Sequence, residues 1–147
     1  MTKTYQEIIE EKGMFIGLPV GVSMWPMIRN RVDTVKLVKI DRPLKKHDVI
    51  LYIRKNGQYV LHRIIKVNNT AYTLCGDNQW QKEKGVTDNM IIAVMDGFFR
   101  KEKYVANNNF FYKTYYHIWA LLRPFRKLFY YLKAGVKKVI RRKRLTK

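Results

Sequence analysis

A serine hydroxyl is a poor nucleophile until a base takes its proton, so serine chemistry requires a serine and a second residue able to accept that proton. Ser23 stands in "GVSMWPMI" (Gly21–Ile28), between the apolar run Met14–Val20 and a basic, alternating stretch. Taken alone it is a turn hydroxyl, since Gly, Pro and Ser commonly punctuate the gaps between strands. Three histidines compete for the role of base. His117 lies in a C-terminal amphipathic segment, and His47, in "LKKHDVI", sits at a turn before a strand. His62 differs because "YVLHRII" places it inside the longest β-patterned run, where a histidine is either structural or catalytic. An acid to orient it is offered by "LCGDNQWQKE", in which Asp77 opens a turn and Glu83 follows six residues later. Serine, imidazole and carboxylate together meet the general requirement for acyl transfer. That chemistry calls for no cofactor and no metal.

The elements that must position these groups are mostly β. "DTVKLVKI" (Asp33–Ile40) sets Val35 and Leu37 on one face, and the runs Val49–Ile53, Tyr59–Val67 and Ala71–Cys75 read as a meander, its first turn an Asn56-Gly57 hairpin. A strand Met90–Met95 closes the body. Before the strands, residues 4–12 form a short helix, with Thr4 as N-cap and Glu7 completing a capping box.

At 147 residues the chain suits one domain plus an appendage, large enough to bury a core without staples. Its single cysteine, Cys75, has no internal partner and reads as a small core residue. The acidic, polar N-terminus lacks the form of a secretion signal, and no run reaches the ~18 to 20 apolar residues of a bilayer span. Residues 1–97 carry 15 Lys and Arg against 10 Asp and Glu, whereas residues 98–147 carry 15 against Glu102 alone. A β body over 1–97 and a basic, aromatic-rich helical tail over 98–147 follow.

The tail holds two amphipathic helices separated by Pro124. The first presents Phe111, Tyr115, Ile118 and Leu122 with Trp119 alongside, and the second runs through Phe125, Phe129, Leu132, Val136 and Ile140 with basic residues off that stripe. These stripes either dock on the body or lie in a membrane interface. Aromatics beside a dense basic face favour an interfacial anchor, in which Trp119, Phe125, Phe129 and Leu132 meet lipid while Arg141 and Arg142 meet acidic headgroups. An anionic membrane surface is therefore the expected partner, ahead of nucleic acid.

The succession "GVSMWPMI", "RVDTVKLVKI", "KKHDVILY", "YVLHRIIKV", "YTLCGDNQWQKE" and "VTDNMIIAVM" resembles the ordered boxes of type I signal peptidases and their LexA-like relatives, over Met14 to Met95. The resemblance implies the β-fold of that family, with Ser23 as nucleophile and His62 as base, as in its Ser-His branch. It leaves the acid open between Asp77, which matches the Gly-Asp-Asn box, and Glu83, which stands where that branch has a further Asp. The backbone around Ser23, with Gly21, Val22 and Met24, would bind the oxyanion and substrate, because Gly21 replaces the serine common there. His47 stands where the second box usually has Gly, and the family's N-terminal transmembrane helix has no counterpart. The expectation is a serine endopeptidase, cytoplasmic and peripheral on the inner membrane face, that cleaves a leader or precursor peptide. The alternatives are a self-cleaving LexA-like regulator, disfavoured by the short stretch ahead of Ser23, and a non-catalytic lipid- or nucleic-acid-binding module.

Overall fold

The computed structural model describes residues 3–126. The body is mostly β: an eight-stranded antiparallel sheet of β1 (Met14–Gly17), β2 (Thr34–Val38), β3 (Val49–Ile53), β4 (Tyr59–Val67), β5 (Tyr72–Cys75), β6 (Glu83–Val86), β7 (Ile91–Arg100) and β8 (Lys103–Ala106). Helix α1 (Tyr5–Lys12) precedes it and α2 (Phe110–Leu121) follows. Thr4 caps α1 with Glu7 closing the expected capping box, and Gly13 ends it in a left-handed conformation.

The strand order is β1-β2-β7-β3-β4-β5-β6, with β8 also on β7. β7 organises the sheet. One edge pairs with β2, while the other is divided between β3, along Ile91–Val94, and β8, along Gly97–Arg100. Two cores result. Val49 and Leu51 of β3 point into one with Val35, Leu37, Met95 and Phe98, while Ile50 and Tyr52 point into the other with Ile64, Leu74 and Val94. This explains why "VILYI" carries apolar residues without alternation: both faces of β3 are covered.

The strand expected over Met90–Met95 runs on to Arg100, and β8 follows it. Asp96-Gly97 has the composition of a turn but lies mid-strand. Asp96 is held by Lys36 at 2.8 Å and by the Tyr104 hydroxyl at 2.6 Å, and a Cβ on Gly97 would come within 2.5 Å of the Val105 carbonyl oxygen. The boundary drawn at residue 97 therefore falls inside β7. Helix α2 packs on the sheet as well, with Tyr112 in the first core.

The face of α2 that packs overlaps the expected stripe only at Tyr115 and Trp119. Tyr112, Tyr115, Tyr116 and Trp119 turn inward, whereas Phe111, Ile118 and Leu122 are exposed. The reason is polar. Beneath the helix lies Arg63, 1% exposed, which donates to the Tyr112 hydroxyl at 3.1 Å and sits over the Tyr112 and Tyr116 rings. Ile118 and Leu122 could neither accept that hydrogen bond nor offer a π face to the guanidinium.

Candidate active site

Ser23 lies on a turn pinned from within by Met24 and Ile28, 4% and 2% exposed. The Ile28 amide donates to the Met24 carbonyl at 3.0 Å and the Arg31 amide to the Pro19 carbonyl at 3.2 Å, and Trp25-Pro26 is cis. The Ser23 carbonyl accepts the Asn78 amide at 2.7 Å. A Cβ on Gly76 would come within 2.7 Å of that oxygen, so the glycine of Gly76-Asp77-Asn78 is required by the close approach of the serine turn.

A cavity of about 280 Å³ opens beside this turn, and Gly21, Val22, Ser23, Met24, Arg54, Leu61, His62 and Gln79 are among its walls. The fold thus brings Ser23 and His62 to one cleft, together with Gly21, Val22 and Met24. The Gly21 amide is committed to Asn30 Oδ1 at 2.9 Å. Oxyanion donors must come from elsewhere on the turn.

The two acids part company. Asp77 is not aimed at His62. Its carboxylate takes both Arg63 Nε, at 2.8 Å, and Nη2, at 2.7 Å, in a bidentate pair almost wholly removed from solvent. Its carbonyl accepts Trp119 Nε1 at 2.6 Å and an Arg126 guanidinium nitrogen. Asp77 therefore ties the serine turn and α2 to the sheet. Trp119, expected at a membrane, faces the body, stacked on Tyr115 and beneath Arg126. Phe125 is exposed, and Phe129, Leu132, Arg141 and Arg142 lie outside the described residues.

Glu83 reaches His62 through an intermediary. The Tyr52 hydroxyl donates to Glu83 Oε2 at 2.5 Å and lies 3.3 Å from His62 Nδ1. Arg54 closes the chain with Nε and Nη2 on the same carboxylate. Strand pairing explains the meeting: Ile50 is opposite His62 and Tyr52 is opposite Val60, which makes Tyr52 and His62 diagonal neighbours on one face. The Arg54 hydrogen bonds hold Glu83 below the usual carboxylate range, while burial and Glu83 raise the Tyr52 phenol. The ionised Glu83 can only accept, so the protonated Tyr52 phenol donates its single hydrogen to it. The phenol oxygen is then left to accept from Nδ1–H, and in that tautomer Nε2 is unprotonated.

His62 is 3% exposed, and burial is the main reason its pKa falls to about 4; Glu83 and Asp77 pull it upward, and Arg54 downward. His47 is also lowered to about 4, first by burial and then by His117, Lys46 and arginines. Its backbone is left-handed, φ 80°, a conformation glycine adopts without strain, and its ring stacks on Tyr116 at 4.7 Å.

Both histidines are neutral in the folded protein near pH 7, whereas in the unfolded chain they take protons below about 6.5. Between about pH 6.5 and 4 the unfolded state binds more protons, so stability present at neutral pH is lost on acidification. From His62 alone, urea unfolding is expected to show a loss on the order of 2 kcal/mol between pH 7 and 5. His47 adds a loss of the same sign, so a flat profile over that range would show that both histidines are solvated.

Comparison with protein-family models, with curated proteins and with solved structures finds no match. The functional reading therefore rests on this cleft. Among the described residues no group of His, Cys, Asp and Glu is arranged to hold a metal ion, and no helix is long and apolar enough to cross a membrane.

The site residues that sequence reasoning missed are Tyr52 and Arg54, with Arg63 behind them. Tyr52 was detectable in principle, because pairing the strands about the Asn56-Gly57 turn sets it diagonal to His62. Arg54 and Glu83 meet only because β6 forms, and "EKGV" has no β pattern.

Proposed function

We propose that this chain is a serine endopeptidase similar in kind to signal peptidase I, cleaving a leader or precursor peptide through an acyl-enzyme, with Ser23 as nucleophile and His62 as base. The observation that carries this reading is the shared cleft: the serine turn and a buried, neutral histidine line one cavity, and that histidine's Nδ1 is engaged by Tyr52. His62 Nε2 takes the Ser23 proton as Oγ bonds to the scissile carbonyl carbon. The tetrahedral oxyanion collapses with loss of the amine, which receives the proton from His62. Water, deprotonated by the same nitrogen, then attacks the ester and regenerates Ser23.

Substrate specificity follows from the rim. Beside the cleft lies a second, largely apolar cavity of about 170 Å³, bounded by Phe15, Leu18, Val20, Leu51 and Leu61, which suits apolar side chains of an extended peptide. The strongly basic C-terminal segment supports a peripheral site of action at an anionic membrane, on its cytoplasmic face.

Ser23 is the single serine of the chain, so modification is easy to assign. A fluorophosphonate is expected to label the protein at Ser23, located by mass spectrometry, and to leave Ser23→Ala unlabelled. In cells, Ser23→Ala should cause one leader-bearing precursor to accumulate. A folded parent that neither labels nor cleaves would favour the non-catalytic module.

A further inference from the structure

Helix α2 is apolar on two adjacent sides, and the fold uses one. Tyr112, Tyr115, Tyr116 and Trp119 pack inward. On the neighbouring arc, Phe110 is 74% exposed, Phe111 80%, Ile118 53% and Leu121 75%. At about 100° per residue these four occupy a stripe roughly 100° wide. Exposed apolar residues scattered singly need no account, but four large ones in register on one helix mark a surface that something covers.

Charge identifies the occupant. From Lys103 to the end of the chain there is no Asp or Glu, against thirteen Lys and Arg. Lys103 and Lys113, both exposed, lie close to the stripe in sequence and carry no ion pair among the described residues. A second copy of this chain would bring the same uncompensated positive charge against itself, whereas an anionic bilayer offers hydrocarbon to the stripe and counter-charge to its flanks.

We propose that the outer stripe of α2 is a membrane-docking face, inserting Phe110, Phe111, Ile118 and Leu121 into an anionic bilayer while Trp119 and Tyr112 stay locked on the sheet. This rests on the membrane-surface part of the reading above and is independent of the peptidase chemistry. It moves the anchor off the packed face and onto an element rigidly joined to the catalytic body. The cleft is thereby held at a set orientation to the lipid surface.

The test is sedimentation of the full chain with vesicles of phosphatidylcholine containing phosphatidylglycerol, or of phosphatidylcholine alone. Binding is expected only with the anionic lipid and should weaken in high salt. Phe110→Ser with Phe111→Ser and Leu121→Ser leaves every basic residue in place, yet should weaken binding by about tenfold or more. Since all three side chains are exposed, melting temperature should not change; the single variant Phe111→Glu gives the same readout with one substitution. Parent-like vesicle binding by the triple variant would overturn the proposal, because the basic segment would suffice without the stripe. Failure of the parent to bind any vesicle would overturn it too, as would a concentration-dependent dimer abolished by the triple variant, or binding to duplex DNA in place of lipid. Hydrolysis of a short soluble peptide is measured separately. An inactive parent that still binds vesicles through the stripe sinks the peptidase reading and leaves the docking face standing.

Discussion

His62→Ala is expected to lower kcat/KM for a peptide substrate by about 10²- to 10⁴-fold, the usual contribution of a positioned general base, while the chain stays folded. Tyr52→Phe should cost less, up to about 100-fold, because the base is retained but its Nδ1 loses its acceptor and the ring can misalign. The loss should fall on kcat, since Tyr52 lies behind the imidazole rather than in the cleft. The pH profile separates this arrangement from an ordinary surface histidine. With His62 at about 4, activity should hold on acidification past the usual histidine range and fall only near pH 4, with circular dichroism confirming the fold at each point. Glu83→Gln removes a carboxylate that raises the His62 pKa and leaves the Arg54 charge unopposed, so it should move that acid limb lower still. An acid limb at about 6.5, or a folded His62→Ala variant within severalfold of the parent, would remove this mechanism.

Asp77→Asn is expected to be the most destabilising of the single changes at the site. It leaves the Arg63 guanidinium buried with no counter-charge, and breaking such a pair from one side costs about 3–5 kcal/mol. In a chain of this size that is a fall in melting temperature of roughly 10–15 °C. Part of the damage should appear at the cleft, because Asp77 lies between Gly76, which the Ser23 carbonyl touches, and Asn78, whose amide that carbonyl accepts. Replacing both partners, Arg63→Met with Asp77→Leu, removes the buried charge from both sides and should recover much of the stability. Glu83→Gln, at a half-buried position, should change melting temperature little. Scanning calorimetry on these variants decides it: an Asp77→Asn protein that melts within about two degrees of the parent would show that Arg63 finds compensation elsewhere.

These expectations reassign roles that the sequence left open. Between Asp77 and Glu83 as the orienting acid, neither carboxylate touches His62. Asp77 belongs to Arg63, and Glu83 acts through the Tyr52 hydroxyl. Sequence spacing could not distinguish these because both acids lie in the same ten-residue stretch, and their partners are on β3 and β4.

What the sequence determined by itself is what depends on local pattern: the capped α1, the alternation of β2, the turn-bounded apolar runs of β3 to β5, the turn carrying Ser23 and the helical period of α2. Each follows from rules acting within about ten residues, such as a side chain capping its own helix or alternation across one strand. Tertiary structure decided the rest. Asp96-Gly97 became mid-strand because Lys36 and Tyr104 hold the aspartate while β8 crowds the glycine. The periodicity of α2 could not say which of two adjacent apolar faces packs, because hydrophobicity is non-directional. Burial of Arg63 favoured the tyrosine face: with Asp77 pairing two of its guanidinium nitrogens, the Tyr112 hydroxyl and the Tyr112 and Tyr116 rings cover the rest, and the hydroxyl-free stripe of Phe110, Phe111, Ile118 and Leu121 was left facing outward.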